Sequence, residues 1–253
     1  MKEVSKPELI RYNRQLIIPE WGAEKQKELK NAIVFIAGAG GLGSSVSIYL
    51  AAAGIGTLRI CDFDTVSASN LNRQILHNDT KIGKNKAISA KETLSKINPN
   101  TDVLPLTEKI TQENVSELVG ESKIIVDCMD NFQTRFILNK CAVEKKIPFV
   151  YGSIYGFEGQ LSFIQVPETP CLKCFFKEPP PSETFPVVGV TPGVIGCLEA
   201  LEVLKYLTGI GKNLKNKLLV WNGLEQDFRK FSLQKDPNCE VCGKKMEIKN
   251  GNN

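Results

Sequence analysis

The feature that most constrains the fold of this 253-residue chain is an apolar run, residues 31–37, that leads into the turn Gly38-Ala39-Gly40-Gly41-Leu42-Gly43. A strand followed by such a turn and then by a helical pattern is typical of the first unit of a nucleotide-binding α/β fold. Glycines at 38, 40 and 43 let the backbone approach a phosphate, which the amides at the start of the next helix would bind. Close packing of helix on strand is the alternative explanation.

Strand and helix patterns alternate along the first 150 residues. Apolar strands are predicted at 57–62, 102–106 and 123–128, and helices at 42–53 and 83–97. Strands that are apolar along their whole length predict a parallel sheet with both faces covered. The expected class is therefore α/β, with a Rossmann-like, mostly parallel sheet and helices on both faces.

The pattern changes after about residue 150. Residues 151–156 and 160–166 resemble paired strands with an exposed face, so we expect an antiparallel C-terminal extension of the sheet. Five prolines in residues 177–192 predict a long loop, and a largely buried helix over 193–207 should follow it, capped by Gly209. We expect one domain over residues 1–243, divided near residue 150, and a disordered tail at 244–253.

Composition and charge narrow the possible partners. The net charge of +4 comes from 32 basic and 28 acidic residues that form no sustained basic stripe, which gives little reason to expect nucleic-acid binding. The chain contains no apolar run long enough to cross a bilayer, and its first residues lack the pattern of a secretory signal. We therefore expect a cytoplasmic protein without a membrane partner.

Charged side chains after the second predicted strand favour phosphate chemistry. Asp62 is placed to accept hydrogen bonds from a ribose, as in dinucleotide-binding proteins. Arg73 and Lys86 add a guanidinium and an ammonium, which stabilise a triphosphate during displacement and which hydride transfer does not need. A solvated position on the helix is the alternative for Lys86, whose neighbours include other lysines.

Two further positions near predicted strand ends carry expectations of their own. Asp130 follows the fourth strand, where a carboxylate can hold magnesium through oxygen, although it could equally cap the next helix. His77 is the only histidine, and a lone histidine among polar neighbours is expected at the surface, so catalytic triads built on histidine are disfavoured.

The eight cysteines divide into two groups. Four of them form the pairs Cys171/Cys174 and Cys239/Cys242, the composition of a closed tetrahedral zinc site that would staple the C-terminal segment to the body. A redox-active pair is the alternative. The remaining cysteines, at 61, 128, 141 and 197, lie in apolar or helical contexts, and we expect them to pack as small apolar residues.

Taken together, these motifs resemble the MoeB/ThiF/HesA family, the bacterial and archaeal relatives of ubiquitin-activating enzymes. The resemblance extends from about residue 8 to residue 243. The segments that carry it are Arg11-Tyr12-Asn13-Arg14-Gln15, the loop 38–43, Asp62-Phe63-Asp64, Ser69-Asn70-Leu71-Asn72-Arg73-Gln74, Lys86, Asp130-Asn131 and both cysteine pairs.

The resemblance implies a ThiF-type enzyme that uses ATP and Mg²⁺ to adenylate the C-terminal carboxylate of a ubiquitin-like sulfur carrier ending in Gly-Gly. It implies a nucleotide-binding half at about 8–150 and a zinc-containing, carrier-docking part at about 151–243. Catalytic roles would fall to Arg14, Arg73, Lys86 and Asp130, with Arg14 reaching into the neighbouring subunit of a homodimer. The implied nucleotide-site residues are Gly38, Gly40, Gly41, Gly43, Asp62, Asp64, Ser69, Asn70, Leu71, Asn72, Arg73, Gln74, Lys86, Asp130 and Asn131, and Asp130 would bind magnesium.

The sequence departs from the family pattern in one loop. Several family members carry a cysteine before the position of Gly193, whereas residues 177–196 contain none and offer Ser182 and Thr184. Adenylation without an enzyme thioester is therefore expected. The substrate could be the carrier of molybdopterin or thiamin synthesis, docked with help from Phe157, Phe175, Phe176 and Phe231, or instead a small carboxylate. A NAD-dependent oxidoreductase and an inactive binding partner are less favoured.

Overall fold

The computed structural model describes residues 2–179 and 186–243. Within these residues, eight strands form one sheet in the order β3-β2-β1-β4-β5-β6-β7-β8. The strands are Ile33–Ala37 (β1), Thr57–Cys61 (β2), Asp102–Leu106 (β3), Ile124–Asp127 (β4), Phe149–Tyr155 (β5), Glu158–Ile164 (β6), Lys217–Asn222 (β7) and Asp227–Ser232 (β8). Strands β1 to β5 pair in parallel, and β6 to β8 continue the sheet antiparallel. Both directions agree with the expectation from sequence.

Helices cover both faces of this sheet. They are Lys6–Arg11 (α1), Asn13–Leu16 (α2), Gly22–Lys30 (α3), Gly41–Ala53 (α4), Lys86–Ile97 (α5), Val115–Val119 (α6), Phe132–Lys145 (α7), Leu172–Phe175 (α8) and Val190–Thr208 (α9). Short 3₁₀ turns lie at Ala68–Asn70 and Asp79–Lys81. Gly38 and Gly43 permit the sharp turn that connects β1 to α4. Gly209, in the left-handed conformation, ends α9 as expected.

The core has one apolar cluster on each face of the sheet. Val46 and Leu50 of α4 pack with Val203 of α9 on the first face. Gly196 has no side chain, and this allows helix α9 to approach α4 closely. A Cβ at that position would lie only 2.7 Å from the carbonyl oxygen of Leu42. Leu138 of α7 belongs to the cluster on the second face, which also contains all four paired cysteines. The sheet is therefore buried on both sides, as its apolar strands predict.

The C-terminal half differs from the sequence-based expectation in two ways. Strands β5 and β6 are mostly buried and do not present an exposed face, because α9 covers one side and the cysteine-containing segment covers the other. Helix α9 begins at Val190, three residues before the predicted start, since Pro192 is tolerated in a first helical turn. Ser182, Thr184 and the tail at 244–253 lie outside the described residues.

None of the helices within residues 2–179 and 186–243 has both the length and the apolar character that a bilayer span requires.

Candidate functional site

Three strand ends meet at the carboxyl edge of the parallel sheet. The last residue of β1, Ala37, pairs with Cys61 of β2 on one side and with Asp127 of β4 on the other. The chain passes from β3 to β4 across β1, so the direction of winding reverses at this point. Ligands of open α/β sheets bind at such a reversal. The loops that follow the three strands hold most of the predicted site residues.

The glycine-rich loop adopts a conformation that only glycine allows at two positions. Gly38 has φ +100°, and a Cβ there would lie 2.7 Å from the carbonyl oxygen of Cys128. A Cβ on Gly43 would lie 2.0 Å from the carbonyl oxygen of Gly38. Close packing therefore accounts for both of these glycines. Gly40 caps the start of α4 and, with Gly41, leaves the backbone amides of that helix end available to a phosphate.

Asp62 is the link between β2 and the glycine-rich loop. Its Oδ2 accepts a hydrogen bond from the Ala39 amide at 2.8 Å, and its Oδ1 accepts one from the Asp64 amide at 2.9 Å. Burial raises the pKa of Asp62, while the Ala39 hydrogen bond and the charge of Lys86 oppose that rise. The carboxylate thus fixes the loop and stands at the predicted ribose position.

Lys86 is buried, with 7% of its surface exposed. Its Nζ lies 3.2 Å from Oδ2 of Asp64, and its backbone amide donates to the Asp64 carbonyl at 2.8 Å. The solvated alternative for Lys86 is therefore wrong. A buried ammonium beside the Asp62–Asp64 turn is positioned to attract an anion from the sheet edge.

The segment 69–74 lies beside the glycine-rich loop. Arg73 is half-buried, and its Nη1 donates to the Ser69 carbonyl and to the Asn72 side chain, both at 3.0 Å. Gln74 is buried, and its Oε1 has no hydrogen-bond partner among the described residues. The start of α9 packs on this segment, because a Cβ on Gly189 would lie 2.2 Å from the Asn72 carbonyl oxygen. Asn72 therefore contacts the start of α9, and a Cβ added to Gly41 would lie 3.6 Å from the Arg73 carbonyl oxygen.

Asp130 and Asn131 occupy the loop between β4 and α7. Asn131 caps α7, since its Oδ1 accepts the Thr134 amide at 2.9 Å, so the capping role considered for Asp130 belongs to its neighbour. Asp130 is exposed, and its Oδ1 accepts a hydrogen bond from the Asn131 side chain at 3.3 Å. Its carboxylate remains accessible from the sheet edge.

Arg14 is not part of this cluster. The adjacent residue, Gln15, donates to the carbonyl of Ala53 at 3.1 Å, which places Arg14 at the far end of α4 from the glycine-rich loop. Helix α4 has 13 residues, and its length separates the two ends by about 18 Å. The exposed Arg14 side chain is too short to reach the site of its own chain.

His77 is buried, which contradicts the expectation of a surface position. Its Nε2 lies 2.9 Å from the Ala39 carbonyl oxygen, and its Nδ1 lies 2.8 Å from Oγ of Ser89. Because a carbonyl only accepts, Nε2 carries the proton and Nδ1 accepts from Ser89. Burial lowers the pKa of His77, which keeps the ring neutral. A single histidine gives no periodic signal by which a sequence could reveal this role.

A second buried charge pair near the site was also missed. Asp127 ends β4 with no exposed surface, and its Oδ2 lies 3.3 Å from Nε of Arg135 on α7. Burial raises the pKa of Asp127 to about 6, against the charge of Arg135. The only sequence signal was a carboxylate at the end of an otherwise apolar strand, eight residues before an arginine.

The four paired cysteines come together as predicted. The Sγ atoms of Cys171, Cys174, Cys239 and Cys242 all lie within 4.8 Å of one another. Those of Cys171 and Cys239 are 3.6 Å apart, and those of Cys174 and Cys242 are 3.3 Å apart. Tetrahedral zinc with Zn–S bonds of about 2.3 Å requires sulfur atoms roughly 3.8 Å apart. The cluster could therefore hold a zinc ion. Of the other cysteines, 61, 128 and 141 are buried.

The aromatic residues proposed for docking separate into two pairs. Phe157 and Phe231 are about half exposed. Both lie in the antiparallel part of the sheet, Phe157 in the turn between β5 and β6 and Phe231 in β8. Phe175 and Phe176 pack against Tyr151, with ring centroids 6.3 and 5.7 Å away, and so contribute to the interior.

Comparison with known proteins relates this arrangement to one group of enzymes. The ThiF family matches residues 12–241. The chain is 42% identical to a sulfur carrier protein adenylyltransferase of Thermus thermophilus, over 94% of this chain and 92% of that protein. It is 38% identical to the molybdopterin-synthase adenylyltransferase of Escherichia coli, over 96% of this chain and all of that protein. It spans only about half (56%) of the adenylyltransferase and sulfurtransferase MOCS3 of Xenopus laevis, at 39% identity.

The fold has a close counterpart among solved structures. Escherichia coli MccB with MccA-N7isoASN superimposes with a TM-score of 0.84 at 25% identity, over 96% of this chain and 76% of that one. The resemblance inferred from sequence motifs is thereby confirmed. This chain belongs to the ThiF family, and it is an ATP-using adenylyltransferase.

Proposed function

We propose that this enzyme adenylates the C-terminal carboxylate of a ubiquitin-like sulfur-carrier protein ending in Gly-Gly, in the cytoplasm, for sulfur transfer in molybdopterin or thiamin synthesis. The proposal rests on the positions of Asp62, Arg73, Lys86 and Asp130, which follow β2 and β4 at the edge of the sheet where the glycine-rich loop follows β1. The relative with 42% identity, a sulfur carrier protein adenylyltransferase, supports the choice of substrate.

The chemistry needs no general base. A C-terminal carboxylate is ionised at pH 7 and can attack the α-phosphorus of ATP directly. A bond forms between a carboxylate oxygen and that phosphorus, the bond from the phosphorus to the bridging oxygen breaks, and pyrophosphate leaves with the electron pair. Lys86 and Arg73 would offset negative charge on the transition state and on the leaving group.

The remaining site residues receive roles by position. Asp62 would bind the ribose, and Gly41, at the start of α4, would face the phosphates. The site as proposed comprises Gly38, Gly40, Gly41, Gly43, Asp62, Asp64, Ser69, Asn70, Leu71, Asn72, Arg73, Gln74, Lys86, Asp130 and Asn131.

Two metals complete the proposal. Asp130 would hold magnesium, since its exposed carboxylate is a hard oxygen ligand and only Oδ1 is hydrogen-bonded among the described residues. When bound, magnesium would neutralise phosphate charge. The four-cysteine cluster would hold a structural zinc that joins the C-terminal segment to α8, because four closely spaced thiols match its tetrahedral ligand set.

A homodimer would complete each site. Arg14 lies near the end of α4 opposite its own glycine-rich loop, and its exposure suits a role in the site of a neighbouring subunit. We propose that residues 1–243 form one adenylating unit, in which the part from 151 onward docks the carrier through exposed aromatics such as Phe157 and Phe231.

We further propose that no covalent bond forms between enzyme and carrier. Residues 177–196 contain no cysteine, and Ser182 and Thr184 cannot perform thiolate chemistry at neutral pH. Non-reducing mass spectrometry of the enzyme with its carrier and ATP is expected to show no thiol-sensitive adduct. Such an adduct would contradict this part of the proposal.

A small carboxylate is the second candidate substrate. MccB, whose fold is similar, is described in one solved structure as a biosynthetic enzyme for microcin C7, and this description supports a biosynthetic role other than sulfur transfer. Its identity to this chain, 25–26%, is lower than that of the sulfur-carrier enzyme.

The test is pyrophosphate exchange into ATP by the purified protein. The reaction is run with a panel of carriers ending in Gly-Gly and separately with small carboxylic acids, and a carrier that lacks its last glycine is the matched control. Exchange that depends on an intact carrier supports the proposal and names the pathway. Exchange only with a small acid would replace it with the second candidate.

A further inference from the structure

Met129, the residue before Asp130, has both of its backbone polar groups held by one buried ion pair. The Met129 amide donates to Oδ1 of Asp127 at 3.1 Å. The Met129 carbonyl accepts from Nη2 of Arg135 at 2.6 Å. Both side chains are inaccessible, with Asp127 0% and Arg135 4% exposed. The backbone from which Asp130 projects is therefore fixed from two directions.

Arg135 is itself held by several groups. Its Nη2 also donates to the Gly152 carbonyl at 3.0 Å, and its guanidinium lies 4.9 Å from the ring centroid of Phe132 and 5.3 Å from that of Tyr151. The planar guanidinium donates hydrogen bonds to Met129 and to Gly152 of β5 while its Nε makes an ion-pair contact with Asp127. The single nitrogen of a lysine cannot reproduce this fork.

The needs of the fold do not explain this pair. Helix α7 already begins with the Asn131 cap, so its start does not depend on Arg135. A buried ion pair is often no more stabilising than apolar residues of the same volume, because both charges lose their hydration. What the pair provides beyond an apolar core is a defined position for Met129.

We infer that Arg135, together with Asp127, is a positioning residue that sets the Asp130 carboxylate for magnesium-bound ATP. In this role Arg135 touches neither nucleotide nor carrier and acts only through the backbone of Met129. The inference rests on the proposed function, because it takes Asp130 as the magnesium ligand. It assigns a catalytic purpose to a buried charge that lies behind the reacting groups.

The test compares binding rather than turnover. Calorimetry measures the affinity of a non-hydrolysable ATP analogue with and without Mg²⁺ for the full-length wild type, Arg135→Lys and Asp130→Asn. Arg135→Lys keeps a cation beside Asp127 but loses the fork, so we expect it to lose about tenfold of the affinity gained on adding Mg²⁺. Its metal-free affinity should match that of the wild type. Asp127→Asn, which keeps an acceptor for the Met129 amide, should show a smaller loss in the same direction.

Hydrogen–deuterium exchange supplies a local readout. Peptides covering residues 128–131 should lose protection in Arg135→Lys. Leu138→Ala, on the same helix and fully buried, controls for general destabilisation and should leave the magnesium-linked gain unchanged.

The outcomes separate the two claims. If Asp130→Asn loses the magnesium-linked gain while Arg135→Lys and Asp127→Asn keep it, the positioning role is overturned and the proposed function stands. If Asp130→Asn keeps that gain, Asp130 is not the magnesium ligand, and the inference falls with that assignment. An equal loss in Leu138→Ala would show that the effect is structural and would also overturn the inference.

Discussion

Buried charged side chains have different partners on the two sides of β1. On the β2 side, Asp62 accepts two backbone amides and Lys86 pairs with Asp64. On the β4 side, the single guanidinium of Arg135 faces two fully buried carboxylates, Asp127 and Glu199. Glu199 of α9 packs against Gly152, and neither of its oxygens has a hydrogen-bond partner among the described residues.

The charges on the β2 side are available to bind a ligand, whereas those on the β4 side pair with one another inside the protein. Burial raises the pKa of Glu199 well above its ordinary value, with Asp127 adding to the rise and Arg135 opposing it. Burial thus favours the protonated form of Glu199, and Asp127 is the carboxylate that pairs with Arg135. The β2 side keeps Lys86 next to the sheet edge, where a phosphate can reach it. The β4 side uses its charge internally.

The largest expected effect comes from removing the ammonium on the β2 side. Lys86→Met should lower carrier-dependent pyrophosphate exchange by at least about a hundredfold, because loss of one group that stabilises the transition state costs roughly 3 kcal/mol. The neighbouring Lys84, which pairs with Glu92, provides the matched control Lys84→Met. Equal exchange rates in the two variants would remove Lys86 from the site.

Metal removal should affect the β4 side selectively. Phe175 and Phe176 follow Cys174 and pack on Tyr151, whose ring lies over Arg135, so a zinc staple would cover this cluster. Cys242→Ser should therefore lose bound zinc, measured by mass spectrometry, and lower the melting temperature by about 10 °C, the equivalent of several kcal/mol.

The control for this prediction is another cysteine. Cys197→Ser, in α9 and outside the cluster, should keep one zinc ion per chain. Wild-type protein that is isolated free of zinc and still melts about 10 °C above Cys242→Ser would show that the cysteines stabilise the fold without a metal.

The sequence predicted the parallel half of the fold because its signals are local and periodic. The strands now found at β1 to β4 are short apolar runs bounded by glycine, proline or polar residues, and the loop after β1 has a spacing that packing alone nearly dictates. The cysteine cluster was also predictable, since two close pairs of thiols favour one metal site across 64 intervening residues.

The missed features depend on contacts between distant segments. Nothing near His77 in sequence shows that it reaches the Ala39 carbonyl, and the carboxylate that ends the strand before Arg135 does not by itself show that the two pair. The strands β5 and β6 were expected to be half exposed because the elements that cover them come from later in the chain. A polar residue in an apolar setting has the same sequence appearance whether it is solvated or paired.

A smaller effect, on stability alone, is expected from neutralising the unpartnered acid on the β4 side. Folding raises the pKa of Glu199, so above the ordinary pKa near 4.5 the folded state binds a proton that the unfolded state does not bind. This difference lowers the free energy of unfolding as the pH rises. Glu199→Gln should therefore raise the free energy of unfolding at pH 7, and the gain should vanish near pH 4.

Glu202 on the same helix provides the contrast. Its Oε2 accepts hydrogen bonds from Asn213 and from the Leu214 amide, and its other oxygen pairs with Lys205. Glu202→Gln loses that ion pair and should not be stabilising at pH 7. Urea denaturation of both variants at pH 4, 5.5 and 7 makes the comparison. A Glu199→Gln variant that is less stable than the wild type at pH 7 would mean that Glu199 has a partner.

The smallest effect is expected at His77, and its pH dependence should have the opposite sign. The pKa of His77 is lowered by burial, so acid favours the unfolded chain, which binds a proton that the folded ring refuses. His77→Gln can still donate to the Ala39 carbonyl but reaches Ser89 less well, at a cost of about 1 kcal/mol at pH 7.5. Because the variant has no such titration, its deficit should shrink as the pH falls from 7.5 to 5. A deficit that is constant over this range would mean that the pKa of His77 is the same in the folded and unfolded states. A neutral His77 would then not be required to hold the glycine-rich loop on the β2 side.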